Sequence, residues 1–95
     1  MIINHLLLKL KDRSAEQIEH TRSVLLGMKG KIDVLVDIQA EVNVRPGPSG
    51  YDLILITKFE SMADLDKYLA HPAHLDVARF IGSVLDTQAS VCCEV

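Results

Sequence analysis

The side chains in this sequence with chemistry to offer near neutral pH are four histidines, His5, His20, His71 and His74, and the tyrosine Tyr68. Imidazole is the side chain whose ordinary titration falls between pH 5 and 8, so each ring is a candidate base, proton shuttle or metal ligand. His71 and His74 flank Pro72-Ala73 at what reads as a helix start. The positive end of a helix dipole disfavours imidazolium, and a neutral ring is the form a general base needs. A histidine at the N-cap can also do no more than satisfy a backbone donor. The spacing of His71 and His74 also allows both rings on one side of a helix. His5 would then be a third zinc ligand if the first strand ran beneath them. No recognised ligand motif accompanies them, so no metal and no other cofactor is expected. His20 lies off the apolar stripe of its helix and reads as solvated. His5, inside an apolar strand, has the ordinary explanation of a hydrogen-bonded core residue.

Other signatures are missing. There is no Gly-rich phosphate loop, no nucleophile elbow, no HExxH and no dinucleotide fingerprint. Ten Lys and Arg against 13 Asp and Glu give a net charge of −3, and no basic tract occurs, which argues against nucleic acid as a partner. No apolar run approaches about 18 residues, so no membrane span is expected. Met1 to Lys9 is apolar but short and lacks a basic lead-in, unlike a signal peptide. Cys92 and Cys93 are adjacent in a strand and would point to opposite faces. A disulfide between them would be strained, so free thiols and a cytoplasmic location are expected. With 48% hydrophobic and 24% charged residues over 95 positions, residues 1–95 read as one globular domain.

The elements that must position the histidines follow from periodicity. Ile2 to Lys11 is an apolar strand. Ser14-Ala15-Glu16-Gln17 reads as a capping box, opening a helix that carries Ile18, Leu25 and Met28. That helix should stop near Met28 to Gly30. Ile32 to Asn43 alternates apolar and polar residues, with Leu35 the exception, and predicts a strand with one buried face. Arg45 to Gly50 is a turn by composition, and Tyr51 to Phe59 is a strand apolar on both faces. Ser61 to Asp64 starts a second helix with Leu65, Tyr68 and Leu69 inward. It should end near His71, with Pro72 opening a third helix over Leu75 to Leu85. Gln88 to Val95 is the last strand.

The order β-α-β-β-α-α-β is the split βαβ arrangement of an α+β ferredoxin-like protomer. Right-handed crossovers give a four-stranded antiparallel sheet in the order 4-1-3-2. The central strands 1 and 3 are then those apolar on both faces. Helices cover one face only, and the apolar side chains left on the other predict a homodimer packed sheet to sheet. His5, Tyr68 and His74 are expected to converge on one cavity between helices and sheet. By the strand's period of two, Ile3 and Leu7 would join His5 there, and Leu6, Leu8 and Leu10 would line the dimer face.

Three stretches carry a family resemblance: His5 to Lys11, Tyr51 to Ser61, and Tyr68-Leu69-Ala70-His71-Pro72-Ala73-His74. Together they resemble the stress-responsive α/β barrel (Dabb) domain over essentially the whole chain. The resemblance implies a ferredoxin-like protomer and a dimeric α/β barrel. A plant polyketide cyclase of that family uses a strand-1 histidine, a helix tyrosine and the second histidine of the motif, which match His5, Tyr68 and His74. By that resemblance His74 would be a general base, Tyr68 would hydrogen-bond a developing oxyanion, and His5 would orient or relay. No cofactor is implied. The expected function is binding of a small hydrophobic or carbonyl-containing ligand by a protein of unassigned reaction. The alternatives are a cofactor-independent cyclase-like or monooxygenase-like enzyme, and a purely structural stress protein.

Overall fold

A computed structural model describes residues 1–95. The elements in chain order are β1 (Ile2–Leu10), α1 (Ala15–Leu26), β2 (Asp37–Val42), β3 (Leu53–Phe59), α2 (Met62–Ala70), α3 (Pro72–Val84) and β4 (Leu85–Glu94). The sheet order is β2-β3-β1-β4, and every pairing is antiparallel. This is the ferredoxin-like α+β fold, with β1 and β3 central as their two-faced apolar character requires.

Local signals place the helix starts. The Ser14 hydroxyl accepts from the Gln17 N–H at 3.2 Å and caps α1. The reciprocal half of the capping box is made by Asp12, whose carboxylate accepts from the Ser14 N–H at 2.9 Å. Ser61 caps α2 through the Asp64 N–H at 3.2 Å. Helix α1 ends at Leu26, and Gly30 turns the chain at φ 80°, a conformation that favours glycine.

Helix α1 ends short of Met28 and β3 starts at Leu53 rather than Tyr51, and two further boundaries differ more from the sequence expectation. The alternation over Ile32 to Val36 is not strand. Leu35 N–H donates to the Ile32 carbonyl at 3.2 Å in a turn, the Val36 N–H donates to the Lys58 carbonyl of β3 at 2.9 Å, and the strand register begins at Asp37 opposite Lys58. Ile32 is buried there, and Val34 and Leu35 pack against the core, so apolar burial at the end of the core produced the same period as a strand. Leu85, expected in the last helix, is instead the first residue of β4, with no intervening loop.

The parity of β1 is the reverse of the expectation. Ile2, Leu8 and Leu10 belong to the core beneath the helices, and Leu6 packs against it. Leu6 pairs with Leu55 and Leu8 with Leu53, both core residues of β3. Ile3, His5 and Leu7 therefore lie on the open face of the sheet, and Leu6, Leu8 and Leu10 do not. Lys9 and Lys11 share the parity of His5. A lysine on the helix-covered face of a central strand would have to bury its ammonium. Lys9 instead reaches the Pro48 carbonyl at 3.0 Å.

The open face carries Ile54 and Ile56 of β3, Ile3, His5 and Leu7 of β1, and Ala89, Val91 and Cys93 of β4 on neighbouring register positions. Val91 is 62% exposed. The apolar side of β4 thus faces away from the helices, and its polar side, Gln88 and Ser90, faces toward them.

Candidate functional site

The junction of α2 and α3 positions the histidines. His71 is in the extended conformation and caps α3, its Nδ1 accepting the Ala73 N–H at 3.0 Å, with Pro72 as the first helical residue. Its ring is committed to the helix start. His74, one turn later, directs Nδ1 at the Leu69 carbonyl, 3.0 Å away. That carbonyl belongs to the last turn of α2 and has no helical partner, so the ring satisfies it. A carbonyl only accepts, so Nδ1 carries the proton. The neutral ring then presents Nε2 as its basic nitrogen.

Burial lowers the His74 pKa from its ordinary 6.5, the loss of water outweighing the Leu69 bond, which works in the opposite direction. His74 is therefore poised as a neutral imidazole at neutral pH.

Tyr68 lies on the buried face of α2 and is 3% exposed. Its ring sits 5.0 Å from that of Phe59 and 4.6 Å from that of His74, centroid to centroid. Burial pushes the phenol pKa up to about 12, so it remains a donor throughout the physiological range. The hydroxyl meets only the thioether sulfur of Met28, at 3.8 Å. Thioether is a weak acceptor, so the donor is free to be redirected to an oxygen at little cost.

Tyr68 and His74 line one cavity of about 490 Å³ between the sheet and the helices. Leu6, Leu55, Leu65 and Ile81 are among its apolar walls, and Asn4, Gln88 and Ser90 contribute polar groups from the sheet. The expected constellation is thus brought together in part. His5 pairs with Ile56 and Val91 on the opposite face and does not reach the cavity. The polar residue β1 does place there is Asn4, which the sequence reading passed over. Its signal was available: an amide at an otherwise apolar strand position, sharing parity with Leu6, Leu8 and Leu10 rather than with the lysines.

A three-histidine metal site is not assembled. His5 is on the other side of the sheet, the His71 Nδ1 is in its cap, and no group of three His, Cys, Asp or Glu side chains is placed to hold an ion. Cys92 and Cys93 are free thiols. No helix is long and apolar enough to cross a membrane.

A family model described as the stress-responsive A/B barrel domain matches residues 3–94. No curated protein matches the chain. Among solved structures, an Arabidopsis thaliana protein is 26% identical, with 100% of this chain and 95% of that one covered and a TM-score of 0.86. A dimeric ferredoxin-like protein of unknown function from Bacteroides fragilis is 23% identical over 99% and 96% of the two chains, TM-score 0.83. The hydroxynitrile lyase of Passiflora edulis is 15% identical over 99% and 93%, TM-score 0.83, a likeness of fold.

Proposed function

The chain belongs to the stress-responsive A/B barrel domain family, and from that premise we propose that its cavity binds a small, largely apolar, carbonyl-containing molecule. The observation that carries this reading is the pairing of Tyr68 and His74, 4.6 Å apart, at the wall of one apolar cavity of about 490 Å³. That volume falls in the range of small-molecule sites, and few convergent polar groups in an apolar lining are their usual composition. Residues 1–95 act as one domain, and the working form is a homodimer, supported by the apolar open face and by the dimeric Bacteroides fragilis relative. The free thiols support a reducing compartment, the cytoplasm.

A second reading, catalysis, is favoured by the His74 tautomer. With Nδ1 held by Leu69, Nε2 is free to take a proton from a carbon next to the ligand carbonyl. The electron pair of the broken C–H bond forms a carbon–carbon double bond as the π pair of the carbonyl moves onto its oxygen. Tyr68 then hydrogen-bonds that oxyanion, having left the Met28 sulfur. The hydroxynitrile lyase and the present chain share architecture, which by itself assigns no chemistry.

A panel of aryl ketones, acetophenone among them, tests both readings. Binding is followed by thermal shift, and proton abstraction by deuterium entering the α-methyl group in D₂O. Wild type should be stabilised by at least one ketone, and Tyr68→Phe and His74→Gln less so. If the site is catalytic, exchange should fall at least about 100-fold in His74→Gln. A ketone that stabilises all three proteins equally would refute the assigned site. Exchange no faster than in buffer would leave binding and remove catalysis.

A further inference from the structure

The floor of the cavity is at odds with the fold around it. On the helix-covered side of β1 the residues are Ile2, Asn4, Leu6, Leu8 and Leu10, and Asn4 alone is polar. Asparagine is depleted in strands, and an amide in an apolar wall is costly unless it is hydrogen-bonded. Leucine would suit both the strand and the core better at this position.

The neighbouring strand repeats the anomaly. Across the β1–β4 register, Ser90 lies opposite Leu6 and Gln88 opposite Leu8, and both line the cavity with Asn4. Meanwhile Ala89, Val91 and Cys93 of β4 face away from the helices. Three neutral hydrogen-bonding side chains thus sit together on one edge of the floor, beneath a roof that includes Leu65, Leu69 and Ile81. No Lys, Arg, Asp or Glu lines the cavity. A carboxylate or phosphate entering it would lose its water without gaining a cationic partner. A neutral carbonyl or hydroxyl would find both donors and acceptors, because amides and hydroxyls supply each. Local sequence that contradicts its surroundings in this way is where function is found.

We infer that Asn4 is the specificity-determining residue of the cavity, its side-chain amide hydrogen-bonding a neutral carbonyl or hydroxyl of the ligand from the sheet side. This rests on the ligand-binding reading above and names the class of ligand: neutral, with an apolar body and a polar edge that Asn4, Ser90 and Gln88 receive. His74 and Tyr68 address the same molecule from the helix side.

Three probes of similar shape test the inference: acetophenone, its hydrocarbon counterpart ethylbenzene, and the anion benzoate. Dissociation constants are measured by NMR titration of wild type, Asn4→Leu and Asn4→Ala. Wild type should bind acetophenone, and bind benzoate at least about tenfold more weakly. In both variants acetophenone should lose about tenfold in affinity, the effect of one well-made hydrogen bond, with ethylbenzene changed by less than about twofold. The free Asn4→Leu protein should melt no lower than wild type, since the amide serves the ligand and not the fold. Equal loss for acetophenone and ethylbenzene, or no loss in either variant, overturns the role of Asn4 while leaving the ligand reading in place. Benzoate binding as tightly as acetophenone overturns the neutral class. Wild type that binds neither acetophenone nor ethylbenzene overturns the ligand reading, and this inference with it.

Discussion

Two side chains at the site make the stability of the protein depend on pH, in opposite windows. The folded-state pKa of His74 lies below 6.5 because of burial, so the unfolded chain takes up the proton first as pH falls. Its contribution is present above pH 6.5 and is lost below it. Tyr68 is the reverse case, its phenol raised from 10.0 to about 12 by burial. The unfolded chain ionises first as pH rises, so this contribution is present below pH 10 and lost between about 10 and 12. It amounts to about 2–3 kcal/mol at the upper end. Urea midpoints measured from pH 5 to 12 should therefore decline at both ends. Tyr68→Phe should flatten the alkaline decline, and His74→Gln should remove part of the acid one. An alkaline decline of equal size in Tyr68→Phe would show that another group causes it.

Among the elements, the joint between β1, α1 and β3 depends on one buried carboxylate. Asp52, immediately before β3, is 1% exposed. It accepts the Leu10 N–H at 2.9 Å through one oxygen and the Arg13 Nε–H at 2.9 Å through the other. Arg13 extends the joint to the turn before β3, donating to the carbonyls of Gly47 at 3.0 Å and Gly50 at 3.1 Å. Removing Asp52 strands a buried backbone donor and leaves a half-covered guanidinium unpaired. Asp52→Ala should cost about 3 kcal/mol in urea denaturation, and Asp52→Asn clearly less, since the amide oxygen still accepts one of the two bonds. Equal effects from the two substitutions would mean that packing, not hydrogen bonding, makes the joint.

For the whole molecule, the decisive feature is the uncovered sheet face. Ile3, Leu7, Ile54, Ile56 and Val91 share it, and burying such a face against a second copy is the simplest way to remove it from water. Sedimentation at micromolar concentration should give about twice 10.5 kDa. Leu7→Lys should leave a folded monomer, because Leu7 faces out. Leu8→Lys should unfold the protomer, because Leu8 is 0% exposed beneath the helices. A wild-type monomer, or equal damage from the two substitutions, would contradict the interface.

Those adjacent leucines mark the boundary between what is local and what is not. The element order, the strand order, the caps at Ser14, Ser61 and His71, and the break at Pro72 all follow from the sequence. Each depends on interactions between residues a few positions apart or on simple periodicity. The pairing of Tyr68 with His74 was also legible, since six residues across one helix junction fix it. The side of the sheet on which His5 lies was not. β1 is apolar at both parities, so its own pattern is nearly degenerate, and only pairing with β3 and coverage by the helices selects the even-numbered face. Asn4, one residue away, took the place in the cavity for the same reason. Ile32 to Leu35 shows the complementary case, in which burial against the core imitated a strand, the first backbone bond to β3 being made only by the Val36 N–H. The sequence determined which elements form, in what order, and where the capped helices start. Tertiary packing decided which of two nearly equivalent faces became the interior, because that choice is a property of the layers on either side of a strand and not of the strand itself.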